Sequence, residues 1–240
     1  MAKLLVLAFG VSGYLFGVSA LVGWIVSMLG FMSFKVTLFE YPDNLGLKLV
    51  VSFMLMFLFA LQHTIMARQN FKEFVARIIP AAAERSLFVW LTGFVLWTAL
   101  ILWPEDKTVV WQLENAMMGQ VLTGIAILAW AYLFLASFAI NHFELFGLQQ
   151  VYNYFRGKET ATVPFKERLM YKFDRHPIMT GAILGMWITP MMTLDHLIFS
   201  IFFSGYIVFG VSIEERDLNK QWGEGYLSYK KRVRSIVPTF

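Results

Sequence analysis

Long apolar runs are the feature that most constrains how this chain can fold. Four of them, at residues 4–34, 47–67, 86–103 and 116–140, are near or above the roughly 20 residues with which an α-helix crosses a bilayer. Charged residues make up 15% of the chain, against about 25% in soluble domains. Gly10, Gly13 and Gly17 lie on one side of the first run, which predicts close helix packing there. The fold class predicted is therefore an all-α, polytopic integral membrane protein.

Two shorter apolar segments follow, at residues 178–194 and 197–211, joined by Asp195 and His196. Each is shorter than an untilted span requires, and Pro190 is expected to kink the first. We expect the two segments to form a hairpin that crosses the bilayer fully or partly, which makes five to six transmembrane helices. The hydrophilic tail that begins at Glu214 is expected to be helical as far as Gly223, where glycines turn the chain.

The placement of Lys and Arg predicts the orientation. With six crossings, all of the 20 basic residues except Lys35, Lys48 and Lys107 fall on one side of the membrane. Basic loops are retained in the cytoplasm. Both termini are therefore predicted to be cytoplasmic, and the membrane is expected to be a bacterial inner membrane. The basic residues expected to face anionic lipid headgroups are Arg168, Lys172, Lys230, Lys231, Arg232 and Arg234.

The sequence lacks the residues or motifs that several classes of chemistry require. The chain has no cysteine, which excludes a disulfide, a cysteine nucleophile and a thiolate-bound metal. It has no H-x-x-H or H-E-x-x-H spacing, no G-x-S-x-G elbow and no glycine-rich phosphate loop. We therefore expect neither a metal nor a nucleic-acid partner. The apolar runs are nearly free of charge, which argues against an ion-coupled transporter.

Polar residues concentrate near the ends of the predicted spans on the cytoplasmic side. Buried or interfacial polar groups are costly in a membrane, so a cluster on one side indicates a functional site. The alternative is that each residue only marks the headgroup boundary. The residues concerned are Gln62, His63, Asn141, His142, Glu144, Arg175, His176, Glu214 and Glu215.

The C-terminal part of this set adds aromatic side chains, at Trp222, Tyr226 and Tyr229. Carboxylates can bind ribose hydroxyls or an ammonium group, and aromatic faces can stack a base or attract a cation. The combination suits a polar, partly planar and zwitterionic ligand.

A motif in the last third of the chain is informative. It reads Arg175-His176-Pro177-x-x-x-Gly181, then Glu214-Glu215-x-x-Leu218, Gly223-Glu224-x-Tyr226, Tyr229 and Pro238. This pattern resembles the membrane methyltransferases related to isoprenylcysteine carboxyl methyltransferase and to phospholipid methyltransferases, which bind S-adenosylmethionine in this region. One departure is Met179, where that family usually has Tyr.

The resemblance implies S-adenosylmethionine as cofactor and a division of the chain. Residues 1–140 would form a transmembrane scaffold of four spans, and residues 141–240 the cytoplasmic cofactor-binding region. The cofactor-binding residues it implies are Arg175, His176, Pro177, Gly181, Glu214, Glu215, Tyr226 and Tyr229. Arg175 would either hold the cofactor carboxylate or pair with Glu214 or Glu215.

Further segments, at residues 62–68, 141–150 and 187–193, are similar to the methanethiol S-methyltransferase branch of this superfamily. That similarity implies membrane lipids as surroundings and a small volatile thiol as substrate: methanethiol converted to dimethyl sulfide, or hydrogen sulfide converted to methanethiol. Two alternatives stay open. One is a methyltransferase for a prenylcysteine carboxylate or a lipid, and the other is a non-catalytic membrane protein similar to NnrU.

Methylation of a thiol needs the thiolate, whereas a cysteine-like thiol with a pKa near 8.5 is mostly protonated at neutral pH. His63 and His142 are the candidate general bases, because a neutral imidazole accepts a proton near pH 7. Asn141 or Glu144 could orient one of these histidines. Alternatively, the cofactor's sulfonium itself lowers the pKa of the thiol, and no dedicated base is needed.

Overall fold

The computed structural model describes residues 1–34, 41–159 and 167–236. Lys35 and Pro238, on which parts of the sequence argument rest, lie outside these ranges. The helices are α1 (Ala2–Met28), α2 (Leu45–Met66), α3 (Gln69–Ala76), α4 (Ala81–Leu102), α5 (Ala116–Ile140), α6 (His142–Leu145), α7 (Leu148–Arg156), α8 (Pro177–Trp187), α9 (Leu194–Trp222) and α10 (Glu224–Arg232). There are also a short 3₁₀ helix at Leu169–Lys172 and two short strands, β1 (Val109–Gln112) and β2 (Met191–Thr193).

Five of the helices, α1, α2, α4, α5 and α9, are long and apolar enough to cross a membrane. The prediction of an all-α polytopic membrane protein is therefore confirmed. The chain packs as two compact units, which we call unit 1 (Met1–Glu105 and Asn141–Thr162) and unit 2 (Asp106–Ile140 and Val163–Phe240). These are packing units, and the functional division after residue 140 stays a prediction.

Unit 1 is built on close contact between α1 and α4. A Cβ added at Gly17 would lie 2.5 Å from Val89 Cγ1, and one added at Gly93 would lie 2.8 Å from the Cα of Gly17. A Cβ added at Gly13 would lie 2.5 Å from Cδ1 of Trp90, so this glycine leaves room for the indole. The glycines therefore bring two backbones together, as the spacing in α1 predicted.

The second segment of unit 1, which begins at Asn141, is also largely helical. Asn141 caps α6, since its side-chain oxygen accepts the N–H of Glu144. In α7, Val151 is fully buried and fills the space beside Gly10 of α1. This packing holds residues 141–156 against the first half of α1.

Unit 2 contains the predicted hairpin, packed on α5. A Cβ at Gly181 in α8 would lie 2.8 Å from the backbone oxygen of Ala129. At the far end of α8, β2 pairs antiparallel with β1, with Val109 opposite Thr193. The turn of the hairpin therefore lies beside the start of α5, and α9 returns towards the other end.

Two details of the predicted hairpin are wrong. Pro190 does not kink a helix, because α8 already ends at Trp187 and Pro190 follows it. A proline disfavours the helical conformation of the residue before it, which is Thr189 here. Asp195 and His196 do not form the connection either, since α9 begins at Leu194 and both lie in its first turn.

The end of α9 agrees with the sequence. The helix continues through Glu214 and ends at Trp222, and Gly223 turns the chain with a φ of +52°. After α10, the backbone returns to form an isolated parallel bridge between Arg234 and Asp174. The C-terminal region is thereby fastened to the start of α8, at the open end of the hairpin.

Candidate functional site

The open end of the hairpin in unit 2 gathers the charged residues of the sequence motif. Glu215 lies in α9 and is buried, with 7% of its surface exposed. Its Oε1 accepts from Arg175 Nη2 at 2.6 Å and from Arg175 Nε at 2.9 Å. Of the two roles expected for Arg175, the structure therefore contains the ion pair with Glu215.

Three more side chains converge on the Glu215 carboxylate. Lys230 Nζ in α10 lies 2.7 Å from Oε2, Ser235 Oγ donates to Oε1 at 2.9 Å, and His176 Nε2 lies 3.3 Å from Oε1. Arg175 also donates to the carbonyl oxygens of Lys230 and Val233. Glu215 thus joins α9, the start of α8 and the C-terminal segment in one network.

Glu214 differs from Glu215 although the two are neighbours in α9. Its side chain is 52% exposed, and its Oε2 lies 3.5 Å from His176 Nδ1. The two ring nitrogens of the buried His176 therefore face one carboxylate each. Glu214 presents an accessible negative charge at the open end of the hairpin.

Asp174 is a member of this group that the sequence reasoning missed. It is fully buried, and its Oδ1 accepts the backbone N–H of His176 at 3.0 Å, ahead of the first turn of α8. Its Oδ2 accepts from the hydroxyl of Tyr132 in α5 at 3.2 Å. Burial raises the pKa of the Asp174 carboxyl. An Asp whose side chain accepts the backbone N–H two residues on forms an Asx turn, a local signal that could have identified it.

Tyr226 and Tyr229 form the apolar side of the same region. Both are buried, their ring centroids are 5.8 Å apart, and they pack with Val233. The Tyr229 hydroxyl donates to the carbonyl oxygen of Tyr171 at 2.6 Å. Burial, reinforced by the charge of Glu215, raises the pKa of Tyr226 to about 12. Both phenols are therefore neutral at physiological pH.

Pro177 and Gly181, the remaining residues of the motif, contribute to the start and the packing of α8. Pro177 is the first residue of α8, where a proline costs no hydrogen bond. Gly181 faces the backbone of α5. Two of the basic residues expected to face lipid headgroups also form ion pairs, Lys230 with Glu215 and Arg232 with Glu167, each at 2.7 Å.

A second group of predicted residues lies in unit 1. His63, in the last turn of α2, packs against the rings of Phe59 and Phe88, with centroids 5.2 and 4.7 Å away. His142, in α6, packs against Phe146 at 4.8 Å. Phe146 in turn packs on the buried cluster that contains Phe88. The two histidines therefore border the same aromatic cluster.

Two hydrogen bonds in unit 1 involve the predicted residues. Asn141 Nδ2 donates to Glu144 Oε2 at 2.9 Å, so these two side chains bond to each other. The hydroxyl of Tyr14 in α1 lies 3.0 Å from His142 Nε2. Tyr14 stands 128 residues earlier in the chain, and no local sequence signal connects it with His142.

The sequence was compared with known proteins. It is 40% identical to methanethiol S-methyltransferase 2 of Bradyrhizobium diazoefficiens, over 82% of this chain and 76% of that protein. It is 36% identical to the methanethiol S-methyltransferase of Mycobacterium tuberculosis, over 99% of this chain and 98% of that protein. It is 38% identical to the methanethiol S-methyltransferase of Pseudomonas deceptionensis, over 80% of this chain and 74% of that protein. No protein-family model matches the chain, and no solved structure matches it.

Proposed function

The chain belongs to the methanethiol S-methyltransferase family, and we propose that it transfers a methyl group from S-adenosylmethionine to methanethiol, producing dimethyl sulfide, within a bacterial inner membrane. The observation that carries this proposal is the similarity to the Mycobacterium tuberculosis enzyme, which extends over nearly the full length of both chains. The five apolar helices support the membrane setting.

The donor set at the open end of the hairpin fits the cofactor. S-adenosylmethionine carries two cationic groups, a carboxylate, ribose hydroxyls and an adenine ring, and it supplies an electrophilic methyl group. The half-exposed Glu214 can accept from a cationic group or from ribose hydroxyls. Lys230 is 41% exposed and can meet a carboxylate while its ammonium group also pairs with Glu215.

We propose different tasks for the two adjacent glutamates. The carboxylate of Glu215 is already engaged by Arg175, His176, Lys230 and Ser235, so its task is to hold these side chains in place. Glu214 has capacity left for the ligand. Arg175 and His176 shape the site through their bonds to the buried Glu215, and Tyr226 and Tyr229 support it through packing.

On the acceptor side, the protein has to remove the proton of the thiol. His63 and His142 are the proposed proton acceptors, because each combines an imidazole with an apolar, aromatic surrounding that suits a small alkyl thiol. Asn141 and Glu144 support His142 by capping α6, in which it lies.

The direct test is the product formed by the purified full-length protein. The protein in detergent would be incubated with methyl-labelled S-adenosylmethionine and, separately, methanethiol, hydrogen sulfide, a prenylated cysteine and an aminophospholipid. We expect label in dimethyl sulfide, detected by headspace gas chromatography, and none in the prenylated or lipid acceptors. Labelled lipid or prenylcysteine ester would replace the proposed substrate. Absence of cofactor binding in calorimetry would contradict the proposal altogether.

A further inference from the structure

Asp174, the buried acidic residue ahead of α8, carries an inference beyond the roles proposed so far. It is fully buried, and burial of a polar group costs free energy unless hydrogen bonds compensate it. Its two oxygens bond in two directions: Oδ1 accepts the backbone N–H of His176 at 3.0 Å, and Oδ2 accepts from the Tyr132 hydroxyl at 3.2 Å. The local turn needs only the first bond. The second bond therefore ties this turn to α5.

The backbone of His176 is the part of the chain that this tie controls. His176 stands directly before α8, and its φ of −129° and ψ of 59° belong to neither a helix nor a strand. Regular secondary structure therefore does not fix its conformation. Its N–H bonds to Asp174, and its carbonyl oxygen accepts the N–H of Thr180 in the first turn of α8. The direction of the His176 side chain consequently depends on where Asp174 is held.

The side chain of His176 transmits this constraint to α9. The imidazole is buried, with Nε2 3.3 Å from Glu215 Oε1 and Nδ1 3.5 Å from Glu214 Oε2. Glu215 is also held by Arg175 and Lys230, so its position depends less on His176. Half of the Glu214 side chain is exposed, and His176 restrains it from the buried side. A shift of His176 would therefore be felt most at Glu214.

We propose that Tyr132 and Asp174 form a positioning pair that holds His176, and through it Glu214, in the orientation that receives S-adenosylmethionine. This inference rests on the proposed function, in which Glu214 accepts from the cofactor. A binding group that is already oriented costs less free energy to order when the ligand arrives. Tyr132, Asp174, His176 and Glu214 all lie in unit 2, so the pair and the group that it positions belong to one packing unit.

Tyr132→Phe tests the pair, because it removes the hydroxyl and keeps the ring. We expect the Kd for S-adenosylmethionine, measured by calorimetry on the purified full-length protein in detergent, to rise about 3- to 10-fold, as for the loss of one hydrogen bond. The kcat with methanethiol at saturating cofactor should stay within about twofold of the wild type, because only cofactor binding is weakened. Tyr152→Phe, at an exposed tyrosine, is the matched control and should bind the cofactor like the wild type.

A double-mutant cycle separates positioning from a merely structural role. If Tyr132 acts through Glu214, its hydroxyl has less effect once Glu214→Gln has already weakened the site. The Kd of the Tyr132→Phe, Glu214→Gln double variant should therefore be at least about threefold lower than the product of the two single effects predicts. Independent effects would multiply instead.

Substitutions of Asp174 give a second measurement. Asp174→Asn keeps an oxygen for the His176 N–H and gains an amide that can donate to the Tyr132 hydroxyl, whereas Asp174→Ala keeps neither bond. Cofactor affinity should therefore fall in the order wild type, Asp174→Asn, Asp174→Ala. Thermal unfolding, followed by tryptophan fluorescence, checks that each variant is folded at the temperature of the titration.

The outcomes distinguish failure of the pair from failure of the proposed function. If the wild-type protein does not bind S-adenosylmethionine, the proposed function falls. If the wild type binds it and Tyr132→Phe binds it equally well, or its effect multiplies with that of Glu214→Gln, the pair is wrong and the proposed function stands. Equal losses of affinity in Asp174→Asn and Asp174→Ala would contradict the pair as well.

Discussion

At the scale of single residues, the two adjacent glutamates of the motif have different environments. Glu215 is buried among Arg175, His176, Lys230 and Ser235, whereas half of the Glu214 side chain is exposed. Removing one partner of a buried ion pair leaves the other charge without compensation. Exposed pairs contribute little to stability because water and salt screen them. The same substitution should therefore cost much more stability at Glu215 than at Glu214.

Glu215→Gln should destabilise unit 2, because the guanidinium of Arg175, whose side chain is 7% exposed, loses its counter-charge. We expect a loss of about 3 kcal/mol in the free energy of unfolding. Glu214→Gln is the matched control and should change it by less than about 1 kcal/mol. Thermal unfolding in detergent, followed by tryptophan fluorescence, measures both. Equal stability of the two variants would contradict the assignment of Glu215 as the organising residue. In calorimetry, Glu214→Gln should instead weaken cofactor binding.

Asp174 makes stability depend on pH. Burial raises the pKa of its carboxyl in the folded protein, while the unfolded chain has an ordinary value near 3.9. Between these two pKa values the folded state holds a proton that the unfolded state has lost, so stability falls as pH rises through the window. Asp174→Asn keeps an oxygen for the His176 N–H and does not titrate. The stability of the wild type relative to this variant should decrease from about pH 4 upward and then level off. A relative stability that increases with pH would show that the pKa is lowered instead.

At the scale of elements, α8 is a short helix held by its glycines. Gly181 lies against backbone atoms of α5, the oxygen of Ala129 and the nitrogen of Leu133, each 2.8 Å from an added Cβ. Backbone atoms cannot move aside as a flexible side chain can. Because Arg175 and His176 stand directly before α8, its packing on α5 also positions the charged network.

Gly181→Ala should therefore force α8 away from α5. We expect a destabilisation of about 1–3 kcal/mol, the usual cost of overpacking, together with weaker cofactor binding. Gly205→Ala in α9 is the matched control, since an added Cβ there meets nothing within 4 Å, and it should leave both quantities nearly unchanged. Thermal unfolding and calorimetry on the two variants provide the measurements. Unchanged stability and cofactor binding in Gly181→Ala would mean that this packing is not essential.

At the scale of the whole molecule, the distribution of basic residues and the hairpin of unit 2 together predict which end of the hairpin faces the cytoplasm. Leu113, just after β1, donates its N–H to the carbonyl of Pro190, so the hairpin turn lies beside the start of α5. The C-terminal segment lies at the opposite end of the hairpin, where Arg175 donates its N–H to Arg234. Since basic residues are retained in the cytoplasm, the C-terminal end should be cytoplasmic and the β1 end should face the outside.

The absence of native cysteines makes this topology directly measurable. Glu114→Cys, next to β1, and Ser228→Cys, in α10, each place one thiol at an exposed position. In intact cells a membrane-impermeant maleimide should label Glu114→Cys, and it should label Ser228→Cys only after permeabilisation. Asn70→Cys in α3 should behave like Ser228→Cys, because both lie in regions predicted to be cytoplasmic. The reverse pattern at positions 114 and 228 would invert the topology.

The sequence by itself determined the membrane class, the position of most spans and the family. These conclusions depend on local patterns: apolar runs of bilayer length, glycines at helical spacing in α1, and a motif whose residues keep their order along the chain. The strands β1 and β2 were not predicted, because three or four residues make too short a pattern and their partners are about 80 residues apart. The end of α8 was misplaced because hydrophobicity continues past Trp187 although the helix does not.

Only the tertiary structure decided what the site residues touch. His176, Glu215, Lys230 and Ser235 come together because the hairpin folds back and α10 returns to the start of α8, and Tyr14 meets His142 across 128 residues. Apolar periodicity places a side chain on a helix face, but its hydrogen-bond partner depends on which helices pack side by side. Polar pairing between distant segments therefore has no local signal in the sequence. For the same reason, the sequence does not distinguish the buried Glu215 from its exposed neighbour Glu214.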